Sequence, residues 1–169
     1  MKTLLVIFVA LLALAGGIYF QHGLNTPSVA KSDLEIAFPD LEGKPHRLTE
    51  WKGKVVIVNF WATWCPPCLE EIPEFIKLQN ELGAKGLQFI GVLTDDEAEA
   101  ARDFIKAKPI NYPVLDGSIG GRQLTEKLGD SAGVLPISAV FDPDGKLVHV
   151  EIGIFTRGEV LEKIKPWIQ

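Results

Sequence analysis

Apolar positions along this chain switch between short unbroken runs and helical stripes. Val55-Val56-Ile57-Val58, continued by Phe60 and Trp61, predicts a strand buried on both faces, and Leu87 to Leu93 predicts a second. Between them Leu69, Ile72, Phe75, Ile76 and Leu82 recur near helical spacing, closed by Gly83 and Gly86. Pro73 inside that stripe predicts a kink, and Glu70, Glu71 and Glu74 crowd the early turns, as the helix dipole prefers. Upstream, Leu34 to Phe38 alternates like a strand, Pro39 to Pro45 reads as a turn, and His46-Arg47-Leu48 can return as a second short strand. Downstream, Asp95-Asp96-Glu97 opens a helix through Ala98, Ala101, Phe104 and Ile105. Tyr112 to Asp116 reads as a short edge strand, because Pro113 is unsuited to a central one. A short helix follows over Ile119 to Leu128. Asp142-Pro143-Asp144-Gly145 then turns a hairpin between strands at Ile137 to Phe141 and Lys146 to Ile152. Thr156 and Glu159 form a capping box for a last helix, whose buried face is read as Val160, Leu161, Ile164, Trp167 and Ile168.

This order is a β-α-β half, a helical connection carrying a small strand, then a β-hairpin and a closing helix. It predicts an α/β sandwich: a mixed sheet with helices on both faces. The first residues do not fit it. Lys2 is followed by an apolar run from Leu4 to Phe20, with Ala13-Leu14-Ala15 before Gly16 matching a cleavage site. We read residues 1–21 as a signal peptide or an N-terminal membrane anchor; the run is about long enough to span a bilayer, which favours the anchor. No cysteine lies there to carry a lipid. Residues 22–32 read as a polar tether and 33–169 as one domain with enough chain for a real core. Either reading of the N-terminus places the domain outside the cytoplasm. The net charge of −5, with no basic cluster, disfavours nucleic acid as a partner.

The chain has two cysteines, Cys65 and Cys68, separated by Pro66 and Pro67. A bridge between residues this close closes almost no loop, so such a pair is more often redox-active or metal-binding than structural. A metal site would need further ligands, and the histidines are only His22, His46 and His149. Strand, turn, dithiol, helix is an order that puts Cys65 at a helix N-terminus, where the dipole and free N–H groups favour a thiolate. Cys65 is then the exposed attacking sulfur and Cys68 the buried one that resolves the mixed disulfide. Neither proline can donate an N–H, leaving that of Cys68 to face the sulfur, so the thiolate is less stabilised than with other spacers. This pushes toward a reductant or mild exchanger. Pro136, at a strand entrance, is by itself a loop proline or a cis turn. Glu71 alone would read as a solvated charge. Trp64 suits either docking or core packing, Trp51 and Trp167 suit packing, and His46 and His149 the surface.

Asn59-Phe60-Trp61-Ala62-Thr63-Trp64-Cys65-Pro66-Pro67-Cys68, with Glu71 and Pro73, resembles the thioredoxin superfamily, and within it the membrane-anchored, extracytoplasmic TlpA/ResA-like thiol–disulfide oxidoreductases. The likeness runs from about Asp33 to the C-terminus and takes in the N-terminal β-hairpin and a central αβ insertion at Asp95 to Asp116. It implies a thioredoxin-like three-layer sandwich with a mixed central sheet. It also implies that Pro136 is the cis-proline facing the dithiol, with Leu135 offering backbone to a partner. Thioredoxins carry a buried acid where this chain has Asn59; in the ResA-like branch the helix acid, here Glu71, is implicated in tuning or proton transfer. The catalytic candidates are therefore Cys65, Cys68, Glu71 and Pro136, and the partner contacts Trp64, Pro66 and Leu135. Pro136-Ile137-Ser138 departs from the Pro-Thr-Thr or Pro-Glu of many relatives, which weakens a narrower reading as a cytochrome c maturation reductase. Cys65, preceded by Thr63-Trp64 and paired with Cys68, lacks the Thr-x-x-Cys setting of a peroxiredoxin.

The resulting expectation is an extracytoplasmic, periplasmic enzyme that reduces or exchanges disulfides in exported proteins. It would be a monomer working through the cysteine pair without metal or cofactor, re-reduced by a membrane electron donor. The rival class is a thioredoxin-fold binding module for chaperoning or metal delivery.

Overall fold

The computed structural model describes residues 35–130 and 132–168; the expected anchor, the tether and the first residues of the domain lie outside them. Seven strands and four helices follow in order: β1 (Ala37–Pro39), β2 (Pro45–Arg47), β3 (Val55–Trp61), α1 (Pro66–Leu82), β4 (Leu87–Leu93), α2 (Ala98–Ala107), β5 (Val114–Asp116), α3 (Gly121–Lys127), β6 (Ile137–Phe141), β7 (Leu147–Ile152) and α4 (Arg157–Ile164). Five strands make one sheet in the order β5-β4-β3-β6-β7. β3 runs parallel to β4, and β4 to β5, while β6 is antiparallel to β3 and β7 to β6. The mixed sheet read from the sequence is present, with the proline-led strand β5 at its edge. β1 and β2 form a separate antiparallel hairpin, tied to β5 by a bridge between Asp40 and Leu115.

β3 is central and every residue of it is buried, as its unbroken apolar run requires. Alternation along the strand divides its side chains between two layers. Val56, Val58 and Phe60 face a core with Phe38 of the hairpin and Leu124 and Leu128 at α3. Val55 and Ile57 face Phe75 and Leu78 of α1 and Val160 and Ile164 of α4; Trp61 meets Cys68 and Ile72 of α1 and Ala101 of α2. Asn59 shares the parity of Ile57 and Trp61, so its amide points toward α1. That placement matters below.

Several element limits differ from the pattern. The first hairpin is shifted toward its turn, and Leu48–Trp51 coils into a 3-10 turn rather than extending the strand. α2 starts at Ala98 because Asp95 takes a left-handed conformation (φ 55°) that no helix continues through. α3 starts at Gly121, leaving Ile119 86 % exposed. α1 contains Pro73 within one continuous helix. On α4 the buried stripe is Val160, Ile164 and Ile168; Leu161 and Trp167, expected to be buried, are both 38 % exposed. Leu161 lies roughly 60° around the helix from Ile164 at the centre of that stripe, at its solvent edge, and the helix ends at Ile164 before Trp167 is reached. His46 is also not a plain surface residue, since its ring is held between Asp40 and Glu50 and stacks on Trp51.

Candidate active site

The parallel strands β3, β4 and β5 end on the same side of the sheet on which β6 begins and β7 ends. The loops after residues 61, 93 and 116 and before residue 137 therefore meet there. Cys65 sits in this cluster as the N-cap of α1, in extended conformation, with Pro66 and Pro67 as the first two helical residues. Prolines are tolerated there because the first helical N–H groups have no partner within the helix. Cys65 and Cys68 are joined as a disulfide, with Cα atoms 5.4 Å apart. The Cys68 N–H donates to the Cys65 sulfur at 3.3 Å, and the Leu69 N–H is engaged by the Cys65 carbonyl. In the first turn of α1 the prolines thus leave one backbone donor to the sulfur. Cys65, expected to be exposed, is 3 % exposed in this disulfide state, and Cys68 is fully buried.

The Leu135–Pro136 peptide bond is cis, with Pro136 buried and Leu135 half-buried at the entrance to β6. Asp130 holds this loop, its Oδ1 accepting from the N–H groups of Ala132 and Val134. The Pro136 carbonyl accepts from Gly153 N–H, which brings the end of β7 alongside. Trp61 is buried against Phe104 of α2, its ring centroid 5.5 Å away. Trp64 is 58 % exposed, with its indole N–H donating to the Asp95 carbonyl at 2.9 Å. Pro66 is exposed beside it.

Glu71 departs most from its appearance in the sequence. It lies one turn beyond Cys68 on the inner face of α1 and is 2 % exposed. Its Oε1 accepts from the Asn59 amide at 2.6 Å, and its Oε2 from the Phe155 N–H at 2.9 Å. The same Asn59 amide nitrogen donates to Ser138 Oγ at 3.1 Å, whereas Asn59 Oδ1 is buried without a partner among the described residues. Burial raises the Glu71 pKa from the usual 4.5 to about 7; the two hydrogen bonds, which favour the anion, offset only part of it. A carboxyl that titrates near neutrality, buried one turn from Cys68, is suited to holding and releasing a proton. Sequence reasoning by itself missed both its burial and its partners, which come from β3 and the loop before α4. The available signal was the polar Asn59 inside an otherwise apolar buried strand.

Among the described residues no group of three or more His, Cys, Asp or Glu is placed to hold a metal ion. A Cys-x-x-Cys disulfide at a helix N-cap, beside a cis-proline loop on a thioredoxin-like sheet, defines a thiol–disulfide oxidoreductase. Comparison with known proteins agrees. The chain belongs to the Redoxin family, whose model matches residues 23–164, and to its ResA-like thiol–disulfide oxidoreductases. It is 36 % identical over 143 residues to the thiol-disulfide oxidoreductase ResA of a Bacillus cereus strain, covering 82 % of this chain and 79 % of that one. Among solved structures it is similar to a thiol:disulfide interchange protein of the thioredoxin family from Chlorobium tepidum TLS (29 % identity, TM-score 0.67, covering 79 % of this chain and 93 % of the other). A secreted thiol-disulfide isomerase from Corynebacterium glutamicum is likewise similar (26 % identity, TM-score 0.69, covering 79 % and 83 %). The enzyme class and fold expected from the motif are those found.

Proposed function

We propose that this oxidoreductase works outside the cytoplasm, passing electrons from its dithiol to disulfides of exported proteins. In the reduced protein the Cys65 thiolate attacks one sulfur of a substrate disulfide, forming a mixed disulfide as the substrate S–S bond breaks and one substrate thiolate leaves. Glu71, as carboxylate, takes the Cys68 proton. The Cys68 thiolate then attacks Cys65 Sγ, closing the Cys65–Cys68 disulfide and expelling the second substrate sulfur. Two electrons have moved to the substrate, which leaves as a dithiol. A dithiol donor on the membrane reverses the sequence, and an oxidising compartment makes such a supply necessary. Trp64, Pro66, Leu135 and Pro136 form the rim that receives the partner.

The observation that carries this reading is the Cys65–Cys68 disulfide at the start of α1 with Glu71 buried one turn further on. The reducing direction is supported by Pro66 and Pro67, which leave a single first-turn N–H to stabilise the thiolate. The location is supported by the apolar pattern of residues 1–21, and the similar Corynebacterium glutamicum protein is described as secreted. The test replaces Cys68 with alanine in cells. Exported proteins should accumulate as disulfide-linked adducts through Cys65, and replacing Cys65 as well should abolish them. Partners retained equally by the doubly substituted protein would instead indicate a binding module. For direction, a Cys65 pKa far below the free value of about 8.5, near the ~3.5 of strong oxidants, would refute the reductant assignment.

A further inference from the structure

The loop between β4 and α2 is bound to the segment entering Cys65 more tightly than chain connection requires. Asp96 Oδ2 accepts from both the Thr63 N–H and the Thr63 hydroxyl, each at 2.6 Å, while its Oδ1 accepts from the Glu97 N–H at 2.8 Å. One residue earlier, the Asp95 carbonyl accepts the Trp64 indole N–H. Asp95 can present that carbonyl because of its left-handed backbone, which is uncommon for any residue but glycine. The Asp95 carboxylate in turn meets Arg122 Nη1 at 3.3 Å. The Arg122 guanidinium lies against Gly133, where an added Cβ would fall within 2.5–3.0 Å of it. A continuous brace therefore runs from Thr63 and Trp64 through Asp95 and Asp96 to Arg122, and on to the loop that carries Leu135 and Pro136.

The braced parts form a recognisable surface. Of the eight large apolar side chains exposed among the described residues, Trp64, Ile119, Val134, Ile152 and Ile154 lie on the loops and strand ends at the dithiol end of the sheet. Exposed apolar side chains gathered around a reactive group mark a docking surface rather than the ordinary scatter of a monomer. The Gly153 N–H bond to the Pro136 carbonyl brings the segment of Ile152 and Ile154 alongside the cis-proline loop, and Trp64 immediately precedes Cys65. The Trp64 indole, 58 % exposed, is tied to the loop between β4 and α2 by the hydrogen bond of its ring nitrogen to the Asp95 carbonyl.

We propose that Asp96 is a positioning residue for substrate docking: by holding Thr63 it fixes the Trp64 indole as one wall of the exposed apolar rim, which takes an apolar segment beside the substrate disulfide. The proposal rests on the reductive reading above. Asp96 touches no reacting atom and acts through Thr63 and Trp64. Protein disulfides flanked by leucine- or valine-like residues are the substrate class it favours. Small disulfides reach Cys65 without using the wall.

The test uses the pre-reduced protein in single turnovers at varied substrate concentration. One substrate is a peptide disulfide with leucine and valine on either side of one cysteine, the other bis(2-hydroxyethyl) disulfide. With the peptide, Asp96→Ala should lower the second-order rate constant about tenfold, chiefly through a weaker saturation constant, as expected for losing hydrogen bonds to a charged group. With the small disulfide the loss should stay under about twofold. Thr63→Val, which removes one of the two bonds and little volume, should give a smaller change in the same direction, and it decides the matter if Asp96→Ala does not fold. In a Trp64→Ala background, Asp96→Ala should add nothing on the peptide, because coupled residues are not additive. Equal losses on both substrates, or full additivity with Trp64→Ala, would overturn the proposal. A wild-type protein that reduces neither disulfide would instead overturn the reductive reading.

Discussion

Glu71→Gln isolates the energetic consequence of burying a carboxyl beside the dithiol. In the fold this group titrates near 7, against a usual 4.5, because burial penalises its anion more than the Asn59 and Phe155 donors relieve it. The folded protein therefore binds more protons than the unfolded chain between about pH 4.5 and pH 7. Stability falls with rising pH through that window; it is greatest below 4.5 and lowest above 7. At about 1.4 kcal/mol per pH unit, the gap comes to about 3 kcal/mol. Glutamine removes the charge and keeps the shape. Its carbonyl can accept from Phe155 N–H, and its amide can donate to Asn59 Oδ1, now without a partner, once the Asn59 amide turns over. In urea denaturation of the oxidised protein at pH 5, 6, 7 and 8, the variant should lack the wild-type decline and be more stable at pH 8 by up to about 3 kcal/mol. Reduction of a disulfide substrate by the variant should be slower above pH 7, since the proposed acceptor of the Cys68 proton is gone. Parallel stability curves for the two proteins from pH 5 to 8 would refute the reasoning, because Glu71 would then be ionised at an ordinary pKa despite its burial.

Three further outcomes are expected. Gly91→Ala should destabilise by about 1–3 kcal/mol in the same assay, because a Cβ there meets Trp61 Nε1 at 2.9 Å and Trp61 is wedged between β4 and α2. Thr156→Ala, which removes the capping box of α4, should cost about 1 kcal/mol; by loosening the neighbouring Phe155 N–H it should move the titration of Glu71 further upward, read from the pH at which stability declines. His46 is raised above its ordinary 6.5 by its hydrogen bond to Glu50, then by that to Asp40, against a burial cost. Its contribution is therefore fully present below pH 6.5 and lost as pH rises through the raised value. His46→Gln should be less stable than wild type at pH 6, with the difference closing toward alkaline pH; a constant difference would exclude the ion pairs as its source.

Much of this protein is determined locally and is legible in its sequence. The run at Val55–Trp61 has no polar face, so it must be a central strand, and β3 is one. Asp142 to Gly145 sets a hairpin wherever it stands, and Cys-Pro-Pro-Cys at a strand-to-helix junction places a sulfur at an N-cap. The resemblance of residues 59–68 added the fold and the cis-proline. What the sequence left open depends on contacts between residues far apart along it. Glu71 reads as a solvated charge until Asn59, 12 residues before it, and Phe155, 84 after it, close over its carboxylate. Trp64 could have been core or rim, and what decides it is a carbonyl 31 residues away at Asp95. Leu161 and Trp167 fit an apolar face by local spacing, yet the sheet covers only the stripe through Val160, Ile164 and Ile168. Local rules act through backbone geometry within a turn or two. Desolvation and long-range hydrogen bonding act only once the layers have packed, and those forces set the ionisation of Glu71 and the posture of Trp64 around the disulfide.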